Sequence, residues 1–195
     1  MYRNLKTPAE NTSKEYKRQL NKTGKFPVIK HKSNVIIESA TIHRYIWDVY
    51  DKDELLIPKS DRLQRAKVEA LLDYNGNTVN PTISRLFYEL FFYPKLLGQE
   101  SPSEEVTKEI IDNALDQFAR LDEILSSNTY LAGDIFSVAD IQIFNEIYQA
   151  VVCKLIEIDP DKFVHLKKWY DTIFDDPIVQ EIHQEVLKIK KVMFG

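Results

Sequence analysis

The sequence has a single cysteine, Cys153, among 195 residues. One thiol excludes a disulfide framework and a cysteine zinc cluster. Its setting, "IYQAVVCKLI", reads as a buried inert thiol and not as a nucleophile. Long hydrophobic runs are missing as well. The greasiest stretch, "LFYELFFYPKLL", is short and broken by Glu89, Pro94 and Lys95, so no membrane insertion is expected. There is no excess of positive charge: 26 Lys and Arg against 30 Asp and Glu give a net charge of −4. That balance argues against nucleic acid or an anionic membrane as the main partner. The four histidines, His31, His43, His165 and His183, are scattered without ligand spacing, and no metal site is expected. Internal repeats and low-complexity tracts are also lacking.

What is present suffices for an ordinary core, with 44% hydrophobic and 29% charged residues and no signature of disorder. The length allows one large domain or two small ones. The first 25 residues are basic, with Arg3, Lys6, Lys14, Lys17, Arg18, Lys22 and Lys25 against Glu10 and Glu15. They read as a solvated loop and a short helix. A mitochondrial presequence would be rich in Arg and nearly free of acids. The expected compartment is therefore cytoplasmic, with the mitochondrion as the alternative.

Secondary structure is legible in the patterning. "FPVIK" (26–30) and "VII" (35–37), separated by "HKSN", read as a β-hairpin. From Ser39 to about Tyr50, Ile42, Tyr45, Ile46 and Val49 fall on one helical stripe. "DKDELLIPKSD" (51–61) reads as a linker, and the domains expected are 1–52 and 60–195. Asp61 is an N-cap for "RLQRAKVEALLDY", a helix that loosens at Asn75-Gly76-Asn77 and Pro81 and resumes in "ISRLFYELFFYPKLLG". Pro102-Ser103-Glu104-Glu105 opens a helix with its acids where the macrodipole favours them. The apolar face of that helix is Val106, Ile110, Ala114, Leu115, Phe118, Leu121 and Leu125. After the turn Leu131–Asp134, Ser137 caps another helix, and Asp140 can reach back to its amide as a capping-box variant, with Phe136 and Ile141 as a hydrophobic staple. Two further helices are expected over roughly 161–174 and 177–192.

These residues resemble a soluble glutathione transferase of the theta-like class, from about residue 13 onward. "GKFPVIKHKSNVIIESATIHRYI" resembles that family's third and fourth strands and third helix. "DRLQRAKVEALLDY" and "LFYELFFYPKLLGQ" resemble its long fourth helix, and "YLAGDIFSVADIQIFNEI" its buried capping-box helix. The resemblance implies a mainly α fold: a truncated thioredoxin-like α/β N-terminal domain, made of a β-hairpin plus helices, followed by an all-α C-terminal domain. It implies that Pro27 is cis, a form open to X-Pro bonds. That bond would turn the backbone of Phe26 outward to pair with the cysteinyl part of glutathione like an added strand. Glu38 would take the γ-glutamyl ammonium. Ser39, otherwise an ordinary helix-start residue, would take the carboxylate with its hydroxyl and amide at a helix N-terminus. Lys25 would add a contact to the glycyl carboxylate. Tyr88, Phe91, Phe92 and Tyr93 could line an acceptor pocket or a dimer face, although an aromatic cluster at helical spacing is more often core.

In the family, a Tyr, Ser or Cys at the end of the first strand or the start of the first helix lowers the pKa of the glutathione thiol, because the thiolate is the nucleophile. Ahead of Phe26 the only sizeable apolar residues are Tyr2, Leu5, Tyr16 and Leu20, with no run that could form such a strand. Thr7, Thr12, Ser13 and Tyr2 are hydroxyls without a strand to aim them, so no catalytic residue is expected. Without a neighbour, the outer edge of the 26–30 strand would be bare, and a two-stranded hairpin alone is marginal in water. The chain is thus expected to be a non-catalytic binding or structural subunit of an assembly, with a protein partner or a second copy. Two alternatives remain open: an active transferase conjugating glutathione to small electrophiles, and a protein-contact module of the elongation-factor-gamma or synthetase-associated kind.

Overall fold

The computed structural model describes residues 10–194, with side chains through Lys188 except that of Thr12. The chain divides into two compact units, Met1–Ser60 and Asp61–Gly195.

In the described part of the first unit, a 3-10 turn at Glu10–Thr12 leads into helix α1, Lys14–Gln19, with Ser13 accepting the Tyr16 amide as N-cap. Strands β1, Val28–His31, and β2, Asn34–Ile37, then form an antiparallel hairpin with Val28 opposite Ile37 and His31 opposite Asn34. The turn is therefore Lys32-Ser33 alone. His31 and Asn34 were expected in the turn but extend the ladder, and Lys32 takes the left-handed backbone that closes it (φ 56°). Among the described residues no other strand joins this sheet. Helix α2, Ser39–Tyr50, follows directly. It buries Ile42 and Trp47, while Ile46 and Val49 are exposed. The expected stripe thus meets the buried face at Ile42 but not at Ile46 and Val49, where Trp47 takes the buried place. Period alone cannot rank neighbouring stripes, and an indole offers more apolar area than Ile or Val.

The segment read as a linker is a built loop. Asp51 accepts the amides of Leu55, Leu56 and Ile57 at 3.0, 3.0 and 3.3 Å. Glu54, in left-handed backbone (φ 54°), accepts the amides of Lys59 and Ser60 and the Ser60 hydroxyl. Lys59 Nζ donates to the Asp51 carbonyl at 2.5 Å.

Among its described residues the regular elements of the second unit are helices, with one isolated bridge between Tyr130 and Gly133. Asp61 caps α3, Arg62–Tyr74, through the amides of Leu63 and Gln64. A π-turn, Asn75–Val79, joins it to α4, Asn80–Phe87, with Pro81 in the first turn. A second π segment, Tyr88–Leu96, carries Pro94. Helix α5, Glu104–Ser126, buries Ile110, Ala114, Phe118, Leu121 and Leu125 as its periodicity predicts. It also buries Gln117, whose Oε1 accepts the Tyr74 hydroxyl at 2.8 Å. Helices α6, Val138–Val152, α7, Val164–Phe174, and α8, Pro177–Phe194, complete the described residues. Helix α7 starts later than its sequence suggests because its cap is remote. The carboxylate of Asp122 on α5 accepts the amides of His165 and Leu166, both at 2.8 Å.

The capping box at α6 is present and extends further than its motif. Asp140 is fully buried. Its Oδ2 accepts the amide and the hydroxyl of Ser137, and its Oδ1 accepts the Leu131 amide and Trp169 Nε1, all at 2.9 Å. One carboxylate thus ties the turn, the start of α6 and α7 together. Cys153 ends α6 half-buried, less enclosed than its apolar surroundings suggested.

Candidate functional site

The candidate residues converge at the open end of the hairpin. The ladder ends at Val28 opposite Ile37, so Pro27 and Glu38 are the residues that leave it on the two strands. The Phe26-Pro27 peptide bond is cis. Phe26 is 60% exposed.

On the other side, Glu38 is the N-cap of α2, yet its side chain makes no capping hydrogen bond. Its carbonyl accepts the Ile42 amide at 2.9 Å, and its carboxylate is exposed. Its backbone sits at φ 69°, ψ 119°, left-handed territory that costs a non-glycine residue about 1–2 kcal/mol. Strain of this kind concentrates at functional sites. Ser39, half-buried, is the first residue of α2. Helix geometry leaves the first amides of α2 without intrahelical acceptors, which favours an anion there.

Lys25 follows an ordered loop. Its carbonyl accepts the Tyr16 hydroxyl at 2.9 Å and Asn21 Nδ2 at 3.0 Å. Asn21 is itself buried, and its Oδ1 accepts the amide and hydroxyl of Thr23. The carbonyl of Gly24 accepts Asn11 Nδ2 at 2.6 Å. Gly24 needs to be glycine: its φ is +74°, and a Cβ there would meet Lys17 Cε at 2.9 Å and the Asn11 carbonyl at 3.1 Å. Asn11, Tyr16, Asn21 and Gly24 thus aim Lys25 and Phe26. Sequence reasoning missed them as positioning groups, and the one available signal was the turn composition of "NKTG".

Of the hydroxyls considered for catalysis, only that of Ser13 belongs to a described side chain. Tyr2 and Thr7 lie outside the described residues, as does the side chain of Thr12. Ser13 caps α1. Tyr16 has its only proton committed to the Lys25 carbonyl, and burial pushes its ionisation above the usual phenol range. Two of the histidines meet phenols: His31 the Tyr45 hydroxyl, and His183 that of Tyr148. Among the described residues no group of His, Cys, Asp or Glu is arranged to hold a metal, and no helix is long and apolar enough to cross a membrane.

The aromatic residues of the second π segment form a ladder. Tyr88 contacts Phe87, Phe92 and Tyr93 at centroid separations of 5.4, 5.6 and 5.9 Å. Tyr88 and Tyr93 are exposed, whereas Phe91 and Phe92 are half-buried.

Comparison with known proteins agrees with this architecture. The family description "Glutathione S-transferase, C-terminal domain" matches residues 79–177, just over half of the chain. Glutathione S-transferase F10 of Arabidopsis thaliana is 31% identical over 152 residues, covering 77% of this chain and 69% of that protein. The chain belongs to the glutathione S-transferase family, as a short thioredoxin-like unit followed by a helical one. Elongation factor 1-gamma 3 of Oryza sativa subsp. japonica is 26% identical over 181 residues, 92% of this chain. The chain spans only 41% of the length of that relative. In structure, it superposes on the glutathione transferase homolog of Lodderomyces elongisporus, solved with two GSH per subunit. The TM-score is 0.74 at 21% identity, covering 88% of this chain and 79% of that one.

Proposed function

We propose that this chain is a glutathione-binding, non-catalytic module of the transferase fold that works within an assembly, paired with a protein partner or a second copy. The single observation that supports it most is that cis Phe26-Pro27 and Glu38-Ser39 flank the last pair of the hairpin, Val28 opposite Ile37. In this reading the outward backbone of Phe26 takes the cysteinyl unit, Glu38 the ammonium of the γ-glutamyl end, and Ser39 its carboxylate. Lys25 adds charge for the glycyl carboxylate. The solved homolog that carries glutathione supports the choice of ligand.

The non-catalytic half of the proposal is supported by where described hydroxyl protons near the site go. A residue that activates the thiol must direct a donor at the developing thiolate. The Tyr16 proton is already given to the Lys25 carbonyl, and the Thr23 hydroxyl bonds Asn21 Oδ1. The match to an elongation factor 1-gamma over almost the whole chain supports use of the fold in an assembly, and a cytoplasmic placement goes with it.

Similarity to a plant transferase at 31% identity favours the competing reading, an enzyme that conjugates glutathione to small electrophiles. A thiol-conjugation assay with a general electrophile decides between them. The module predicts binding without turnover above the uncatalysed rate. Turnover that is lost on Ser39→Ala would establish the enzyme and overturn the non-catalytic proposal.

A further inference from the structure

The outer edge of β1 offers backbone groups that the hairpin itself does not use. A turn of two residues makes the pair flanking it, His31 and Asn34, a hydrogen-bonded one, and bonded pairs alternate with non-bonded ones along an antiparallel ladder. Ile29 therefore bonds Ile36, while the N–H and C=O groups of Val28 and Lys30 point away from β2. Among the described residues no strand takes them up. Edge groups of this kind are a template for a further strand.

Strand β2 has an equivalent outer edge at Val35 and Ile37, but the two edges differ in charge. The β2 sequence "NVII" carries none. Around β1, Lys17, Arg18, Lys22, Lys25, Lys30 and Lys32 lie between Glu15 and Glu38 with no Asp or Glu among them. All of them are exposed, and none has an ion pair among the described residues. In the helical unit, by contrast, Arg65 is matched by Glu69, Arg85 by Glu89 and Glu109, and Lys167 by Asp171. The chain as a whole is acidic, with a net charge of −4, so this unmatched positive stretch runs against its balance.

The lysines decide what can pair. A second copy adding its own β1 antiparallel would set the two Lys30 side chains opposite or diagonal to each other, within about 8 Å, where like charges are destabilising. Lysine on an edge guards against self-pairing of this sort. An acidic strand meets the reverse situation: the backbone of β1 supplies the bonds, and the lysines select the sequence. We propose that the outer edge of β1 receives an extended acidic segment of a partner protein, its backbone bonded to Val28 and Lys30 and its carboxylates facing Lys30 and Lys32. This rests on the assembly half of the proposed function and names the chemistry of the partner.

The test is amide hydrogen exchange of the full chain, read residue by residue by NMR, with a capped octapeptide of alternating Val and Glu as the probe. With the peptide at about nine times its dissociation constant, exchange at Val28 and Lys30 slows about tenfold. Ile29 and His31, already bonded in the ladder, do not change. Raising the ionic strength from about 0.01 M to about 1 M shortens the screening length from about 30 to about 3 Å and weakens the binding. Lys30→Pro removes one outward N–H and no ladder bond, a change that edge strands accommodate; it loses the peptide while keeping glutathione. Unchanged exchange at Val28 and Lys30 of wild type under saturating peptide would overturn the proposal. So would equal binding of an alternating Pro and Glu peptide, which has the charge without the strand. Protection of the two amides that grows with protein concentration alone would assign the edge to a second copy and overturn it as well. The native mass of the chain in extracts of its own cells separates this inference from the assembly reading. A mass above the monomer's, beside a peptide titration without effect, sinks the edge alone, whereas a monomeric mass sinks both.

Discussion

Removing the carboxylate of Asp140 tests how the helical unit is held together. In Asp140→Ala, the amides of Leu131 and Ser137 and the indole N–H of Trp169 lose their acceptor inside a fully buried site. The Ser137 hydroxyl can rotate away, but the three N–H groups cannot. A stranded buried donor costs about 1–3 kcal/mol. Relief from holding a buried charge offsets part of the sum, so the expected loss is about 3–5 kcal/mol, the range found for breaking buried charge networks. At roughly 2–4 °C per kcal/mol for a chain of this size, the melting temperature falls by about 10 °C. Urea denaturation followed by far-UV circular dichroism measures the loss, and near-UV signal from Trp169 reports whether its surroundings stay fixed. Asp140→Asn keeps one oxygen but turns an NH2 towards donors, so it falls between wild type and Asp140→Ala. A loss below about 1 kcal/mol for Asp140→Ala, within the range of ordinary surface changes, would refute this view of the junction.

Three other outcomes follow from the first unit. Glu38→Gly relieves left-handed backbone (φ 69°) while removing the carboxylate proposed for the glutathione ammonium; it should gain up to about 1 kcal/mol in denaturation, net of the entropy of glycine, and lose glutathione affinity. Gly24→Ala introduces a Cβ into left-handed backbone against Asn11 and Lys17; it should cost on the order of 1 kcal/mol or more and weaken glutathione binding in the same calorimetric titration. Burial pushes the Asp51 carboxyl up, but the amides of Leu56, Leu55 and Ile57 and the charge of Lys59 outweigh it, and its pKa is lowered. The contribution of a depressed acid is present above its unfolded pKa and lost as pH falls through the folded value; amide protection at Leu55–Ile57 should therefore collapse below about pH 4, and Asp51→Asn should lack that transition.

What the sequence disclosed depended on how local the physics was. Helix α5 could be read residue by residue because a period of 3.6 and an N-cap serine are local signals. The capping box at Ser137 and Asp140 was legible for the same reason, but the reach of Asp140 to Trp169 was not, since 29 positions separate them. Helix α7 was started too early because its cap, Asp122, is supplied by another helix. At the candidate site, Pro27, Glu38 and Ser39 stood out through a family pattern. The strain at Glu38 and the roles of Asn11, Tyr16 and Asn21 had no pattern to announce them, because each depends on where a loop folds back. The linker 51–61 shows the opposite limit: its polar composition suggested loose chain, whereas its carboxylates organise it.

Isothermal calorimetry of glutathione binding, on wild type and on Ser39→Ala, tests the central claim most directly. The account predicts a dissociation constant on the order of millimolar or tighter for wild type and a marked loss for the variant, with no conjugating turnover in either protein. Absence of binding by wild type at tens of millimolar glutathione, or affinity unchanged by Ser39→Ala, would contradict it.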